Sequence, residues 1–205
     1  MDSKKHWEEV YKTKSPQEVS WTQEMPTTSL RLIHEANISK NEAIIDIGGG
    51  DSKLVDFLIQ EGYTNITVLD ISGNALEKTK IRLGDKANHV EWIESDINTF
   101  VPKKQYALWH DRAVFHFLTK KEEIKRYNEL VTQHTMKHFI IGTFSDNGPI
   151  KCSGLDIKQY TSKELEELFN HSFELVSSFN EDHKTPFNTI QNFTFASFKR
   201  TYNCC

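Results

Sequence analysis

The chain is expected to adopt an α/β fold: a doubly wound, seven-stranded, mostly parallel sheet with an antiparallel final strand, under an N-terminal helical cap. Three observations lead there. Between residues 43 and 144, short apolar runs alternate with helix-period segments, which requires crossover connections and hence parallel strands. Two later runs, 173–179 and 192–198, follow one another with no helix between them and so form an antiparallel pair. Residues 1–40 carry a helical pattern of their own ahead of the first strand.

In order along the chain, residues 4–14 form a helix because Trp7, Val10 and Tyr11 share one face, and Pro16 stops it. Residues 19–23 form an extended segment around Trp21, and Pro26-Thr-Thr-Ser opens a second helix bearing Leu30, Ile33 and His34. Strand 43–47 precedes helix 53–61, and strand 65–70 precedes helix 73–83, entered through Ser72. Strand 88–94 runs into Ser95-Asp96, strand 105–110 precedes the charged helix 120–134, and strand 137–144 follows. Helix 162–170 then leads to the closing pair. At 205 residues, without repeats or low-complexity segments, the expectation is one domain, 1–205, with cap 1–40 and core 41–200.

Composition narrows the function. With 29 acidic and 25 basic residues, a net charge of −4 and no run of five or six like charges, nucleic acid is not an expected partner. No stretch approaches the ~20 apolar residues of a membrane span, and Met1-Asp-Ser-Lys-Lys-His is polar where a secretion signal has an apolar core. Three cysteines, two of them adjacent at Cys204 and Cys205, make no disulfide framework, so a cytoplasmic location is expected. The Cys-Cys end is similar to the prenylated tail of Rab-type GTPases, but nothing else in the chain is, and it reads as a frayed terminus. Cys152 and His183 lack metal-ligand spacing, and no metal is expected.

The chemistry concentrates at Ala43-Ile-Ile-Asp-Ile-Gly-Gly-Gly-Asp-Ser52. A buried strand delivers the chain into Gly48, Gly49 and Gly50, where missing Cβ atoms allow sharp turning and close approach of backbone N–H groups to a ligand. Ile66-Thr-Val-Leu-Asp70 is a second apolar strand ending in an acid, at the edge where open parallel sheets bind ligands; a carboxylate there accepts both ribose hydroxyls, with Ile71 next in the chain. A dinucleotide fingerprint would need a third glycine where Lys53 stands, so NAD fits poorly. Asp46 would repel a pyrophosphate, whereas a carboxylate there can hold an ammonium.

Asp46-x-Gly48-x-Gly50-x-Ser52 resembles motif I of the class I S-adenosylmethionine (SAM)-dependent methyltransferases, with Ser52 in place of the usual third glycine and available to cap the next helix, and the acid at Asp46 suits the methionyl ammonium of SAM. The resemblance spans nearly the whole chain and extends to a group of small bacterial methyltransferases. It implies SAM as cofactor, a seven-stranded fold closed by an antiparallel pair, Asp96 as acceptor for the adenine amino group and Ile97 against the ring. On the fourth strand, Asp111-Arg112-Ala113 resembles the Asp-Arg-Gly of thiopurine-type enzymes and the Asp-Lys-Gly of a group of protein-lysine methyltransferases, with Ala113 replacing glycine in both. His6-Trp-Glu-Glu-Val-Tyr11 with Ser20-Trp21 is similar to the opening of thiopurine- and tellurite-resistance-type enzymes, which favours a small acceptor; protein lysine is the alternative, and a non-catalytic SAM-binding protein the rival from another class. Asp111, with His110 and Arg112, is the expected catalytic group, although Asp111 and Arg112 also make sense as a local ion pair and His116 as a structural imidazole. Trp21 and Trp7 are expected to reach the ligand from the cap, and the segments 147–154 and 181–187 are expected to be loops beside the site.

Overall fold

The computed structural model describes residues 2–202, so Cys204 and Cys205 lie outside the described residues. The elements are α1 (Ser3–Thr13), α2 (Thr27–Ala36), β1 (Ile44–Ile47), α3 (Leu54–Gln60), β2 (Ile66–Asp70), α4 (Gly73–Leu83), β3 (Val90–Glu94), β4 (Tyr106–Arg112), α5 (Lys121–His134), β5 (Thr135–Phe144), β6 (Lys151–Cys152), β7 (Leu155–Asp156), α6 (Ser162–Phe169), β8 (Phe173–Lys184) and β9 (Ile190–Arg200). The main sheet has the order β3-β2-β1-β4-β5-β9-β8, and β6-β7 is a separate hairpin. β1 pairs in parallel with both β2 and β4, so the order of winding reverses beside it and the carboxyl ends of these strands frame a crevice. Only β9 runs antiparallel in the main sheet, inserted between β5 and β8.

Both faces of the sheet are covered, which is why β1, β2 and β4 are apolar nearly throughout. One face packs Ile44, Val68, Leu108 and Ile140 against Leu32 and Ile33 of α2 and Leu54 and Leu58 of α3. The other packs Ile45, Ile47, Trp109 and Phe139 against Tyr127 and Val131 of α5 and Leu165 and Phe169 of α6. Phe198, fully buried in that second layer, would cost about 3–5 kcal/mol on truncation to alanine. No helix among the described residues is long and apolar enough to cross a membrane.

Several boundaries differ from expectation for physical reasons. Residues 19–23 are not extended: Pro16–Glu18 is a 3-10 turn, and Ser20 and Trp21 continue in a turn. The third strand starts at Val90, because Gly84–His89 forms 3-10 turns. Lys53, not Ser52, occupies the cap position of α3, while Ser52 Oγ still accepts from Leu54 N at 3.1 Å. Residues 181–184 belong to β8 and are not loop; their ladder continues from Glu181 opposite Phe193 to Lys184 opposite Ile190. The segment 147–154 contains strand β6 and the turn of a hairpin in which Ser153 and Gly154 both take positive φ, 50° and 78°.

Candidate functional site

A cavity of about 910 Å³ opens at the carboxyl ends of β1, β2 and β4 and is roofed by α1 and the turn carrying Trp21. Its floor is the glycine turn. Gly48 has φ +69°, and its N–H donates to Leu69 O at 2.7 Å, tying the turn to β2. A Cβ on Gly49 would meet the Asp46 carboxylate and sit 2.8 Å from Val68 Cγ1, while one on Gly50 would meet the Asp70 carboxylate and sit 2.8 Å from Ala75 Cβ. The absent side chains therefore let two acids stand against the turn.

The β1–β4 register places Asp46 beside His110. His110 Nδ1 donates to Asp46 Oδ1 at 2.7 Å, and its Nε2 lies 2.9 Å from Ser29 Oγ on α2. Both ring nitrogens are thus occupied, so His110 orients Asp46 and has no free nitrogen to take a proton from an acceptor. At the end of β2, Asp70 accepts from Gly50 N at 3.0 Å and Ser72 N at 2.8 Å. Burial pushes its carboxyl up to about 7 against the opposing pull of these two N–H groups. Beyond β3, Asp96 accepts from Asn98 N at 2.8 Å. Asp46, Gly48, Gly49, Asp70, Ile71, Asp96, Ile97, Trp21, His110 and Arg112 all line the cavity. Gly50 lies behind it, holding Asp70.

Asp111 does not line the cavity. Side chains on β4 alternate, so Leu108, His110 and Arg112 face the α2 side, whereas Trp109 and Asp111 face α5. The fully buried Asp111 carboxylate accepts from Tyr127 OH at 2.6 Å, Val114 N at 3.0 Å and Phe115 N at 3.3 Å. Burial raises it to about 6. It fastens the turn after β4, and its place on the far face removes it from the cavity and from any ion pair with Arg112. His116 is fully buried and stacks on Phe144, with ring centroids 4.4 Å apart; burial, then the Arg112 charge, hold its imidazole down to about 3. His183 Nε2 donates to the Ser20 carbonyl at 2.7 Å, and burial raises the Cys152 thiol to about 12, so neither is set up as a ligand or nucleophile.

The cap is anchored by polar contacts that sequence patterning did not show. Glu8 on α1 accepts from Gly73 N at 2.6 Å and Asn74 N at 3.3 Å at the start of α4, Lys78 Nζ donates to Lys14 O at 2.8 Å, and Lys4 pairs with Glu94 at 2.5 Å. Trp7 meets Trp21 and Phe117 edge to face, at 5.5 and 5.2 Å between centroids. Ser29 joins the cavity wall without a sequence motif to mark it, while Tyr11 and Asp51 lie within the motifs quoted above but carried no expected role there.

A cavity flanked by carboxylates on three adjacent strand ends, with a backbone turn open at its floor, has the shape and charge to hold a nucleoside whose far end is cationic. Comparison with known proteins agrees. Residues 44–134 match a family model described as a methyltransferase domain. Zebrafish (Danio rerio) EEF1A lysine methyltransferase 2 is 25% identical over 187 residues, covering 86% of this chain and 77% of that protein. Among solved structures, a SAM-dependent methyltransferase from Anabaena variabilis superposes with a TM-score of 0.73 at 15% identity, covering 98% of this chain and 96% of that one. The N-methyltransferase NodS from Bradyrhizobium japonicum, solved with S-adenosylhomocysteine, gives 0.67 at 13% identity, covering 88% and 90%.

Proposed function

The chain carries a SAM-dependent methyltransferase domain, and from that premise we propose that SAM lies across the ends of β1, β2 and β3 and that its methyl group passes to a small acceptor held between β4, β9 and the cap. The observation that carries this reading is the convergence of Asp46, Asp70 and Asp96 on one cavity around the Gly48 turn. The residues fit the cofactor: Gly49 and Gly50 leave the space that a Cβ would fill, and the acids match a cationic ligand. SAM supplies an electrophilic methyl on a sulfonium. Asp46, fixed by His110, holds the methionyl ammonium; the Gly48 to Gly50 turn meets the methionyl backbone; Asp70 takes the ribose hydroxyls beside Ile71; Asp96 and Ile97 hold the adenine; Trp21 closes the site from the cap.

Displacement at a methyl group demands alignment and exclusion of water more than a base. With His110 engaged at both nitrogens and Asp111 on the other face, the protein acts by positioning, and the acceptor arrives already nucleophilic. The domain reading is one unit, 1–205, with 1–40 as cap and 41–200 as core, working in the cytoplasm without nucleic acid, membrane or metal. The similarity of the chain's opening to thiopurine- and tellurite-resistance-type enzymes supports a small acceptor. A protein lysine is the second reading, favoured by the zebrafish relative. Incubation with methyl-labelled SAM and a cell extract separates them: label in the low-molecular-weight filtrate supports the first, label in protein the second, and no transfer at all a non-catalytic SAM-binding protein.

A further inference from the structure

Arg112 is the charged side chain of the β4 end that faces the cavity, and no carboxylate among the described residues pairs with it directly; the charges of Glu181 and Asp46 act on it only from beyond ion-pair distance. Its Nη1 donates to the Trp21 carbonyl at 3.1 Å, its Nε is buried with no partner, and its guanidinium stands 4.9 Å from the centre of the Phe193 ring. Among the described residues no carboxylate comes within salt-bridge distance of it: Asp111 is on the opposite face, Asp46 is bonded to His110, and Glu181 accepts from Thr28. Burial lowers its pKa to about 10, still far above neutrality, so the charge persists. A guanidinium held in an apolar wall with unused donors is costly unless something completes it.

Its position says what that something is. Arg112 pairs with Gly142 of β5 and lies over Phe193 of β9, so Asp46 and β1 separate it from Asp70 and Asp96. Phe117, Phe144, Phe193 and Cys152 also line the cavity, and the Phe144 and Phe193 rings lie against one another beside Arg112. Resting on the methyl-transfer reading, we propose that this end is the acceptor subsite and that it selects a small planar acid, its carboxylate on the Arg112 guanidinium and its body among these rings. The planar fork of arginine suits a carboxylate, and an apolar wall strengthens the pairing.

The test uses benzoate and its neutral isostere benzamide as probes, titrated by calorimetry into the protein saturated with S-adenosylhomocysteine. Benzoate is expected to bind at least about tenfold more tightly than benzamide. Arg112→Met abolishes that preference and Arg112→Lys retains part of it, while S-adenosylhomocysteine affinity in both stays within about threefold of wild type. Equal or absent binding of the two probes to the wild type overturns the proposal, as does a preference that survives in Arg112→Met. A loss of S-adenosylhomocysteine affinity above about tenfold in both variants also overturns it, assigning the charge to the methionyl carboxylate instead. Failure of the wild type to bind S-adenosylhomocysteine at all would sink the underlying cofactor site, a result separate from the probe comparison.

Discussion

If Asp70 holds the ribose as proposed, its surroundings make cofactor binding depend on pH. Burial raises the carboxyl to about 7 in the ligand-free protein, although Gly50 N and Ser72 N both donate to it. Ribose hydroxyls donate more strongly to the ionised carboxylate than to the neutral acid, so binding is expected to draw off the proton that Asp70 holds. Near pH 6 roughly nine-tenths of the molecules carry that proton, and near pH 8 roughly a tenth do, which weakens apparent affinity by up to about tenfold at the lower pH. Calorimetric titration with S-adenosylhomocysteine at both values, in two buffers of different ionisation enthalpy, reads affinity and proton release together. Close to one proton is expected to leave on binding near pH 6 and almost none near pH 8. Asp70→Asn, neutral throughout, is expected to bind weakly and without this dependence. Equal affinity at the two pH values with no proton released would refute the placement of Asp70 at the ribose.

Three other outcomes follow from single contacts. Ala113 holds φ +72° where glycine is at ease, so Ala113→Gly is expected to stabilise the protein by about 0.5–1 kcal/mol in denaturant unfolding. His116 is depressed to about 3 from its ordinary 6.5; its contribution is therefore complete above about pH 6.5 and is lost as pH falls towards 3, at about 1.4 kcal/mol per unit, and His116→Leu should flatten that limb of the stability profile. Removing the Glu8 carboxylate strips two acceptors from the start of α4, so Glu8→Ala is expected to raise amide exchange in α1 while leaving the sheet protected.

The rim of the cavity along β1, β2 and β3 is legible in the sequence because its signals are local. The Gly48 turn and the acids Asp46, Asp70 and Asp96 stand at strand ends defined by apolar runs, and a one-residue error in those runs leaves them at the same rim. The β4 end is not, because there a one-residue step exchanges faces: Asp111 and Arg112 are neighbours in sequence and stand on opposite sides of the sheet. The engagement of His110 depends on Ser29, 81 positions away, which no spacing rule connects. β8 was read short because Glu181, Asp182, His183 and Lys184 look like loop by composition, yet on an edge strand paired to the apolar β9 a polar outward face is sufficient. The cap anchors Glu8, Lys78 and Lys4 read in sequence as ordinary solvated charges.

A structure of the protein crystallised with S-adenosylhomocysteine bears most directly on the whole assignment. The ribose is expected on Asp70, the adenine between Ile97 and the Asp96 carboxylate, and the homocysteine amine towards Asp46, with the Arg112 end left open. A nucleoside bound away from the ends of β1, β2 and β3, or one that leaves Asp46 and Asp70 untouched, would contradict it.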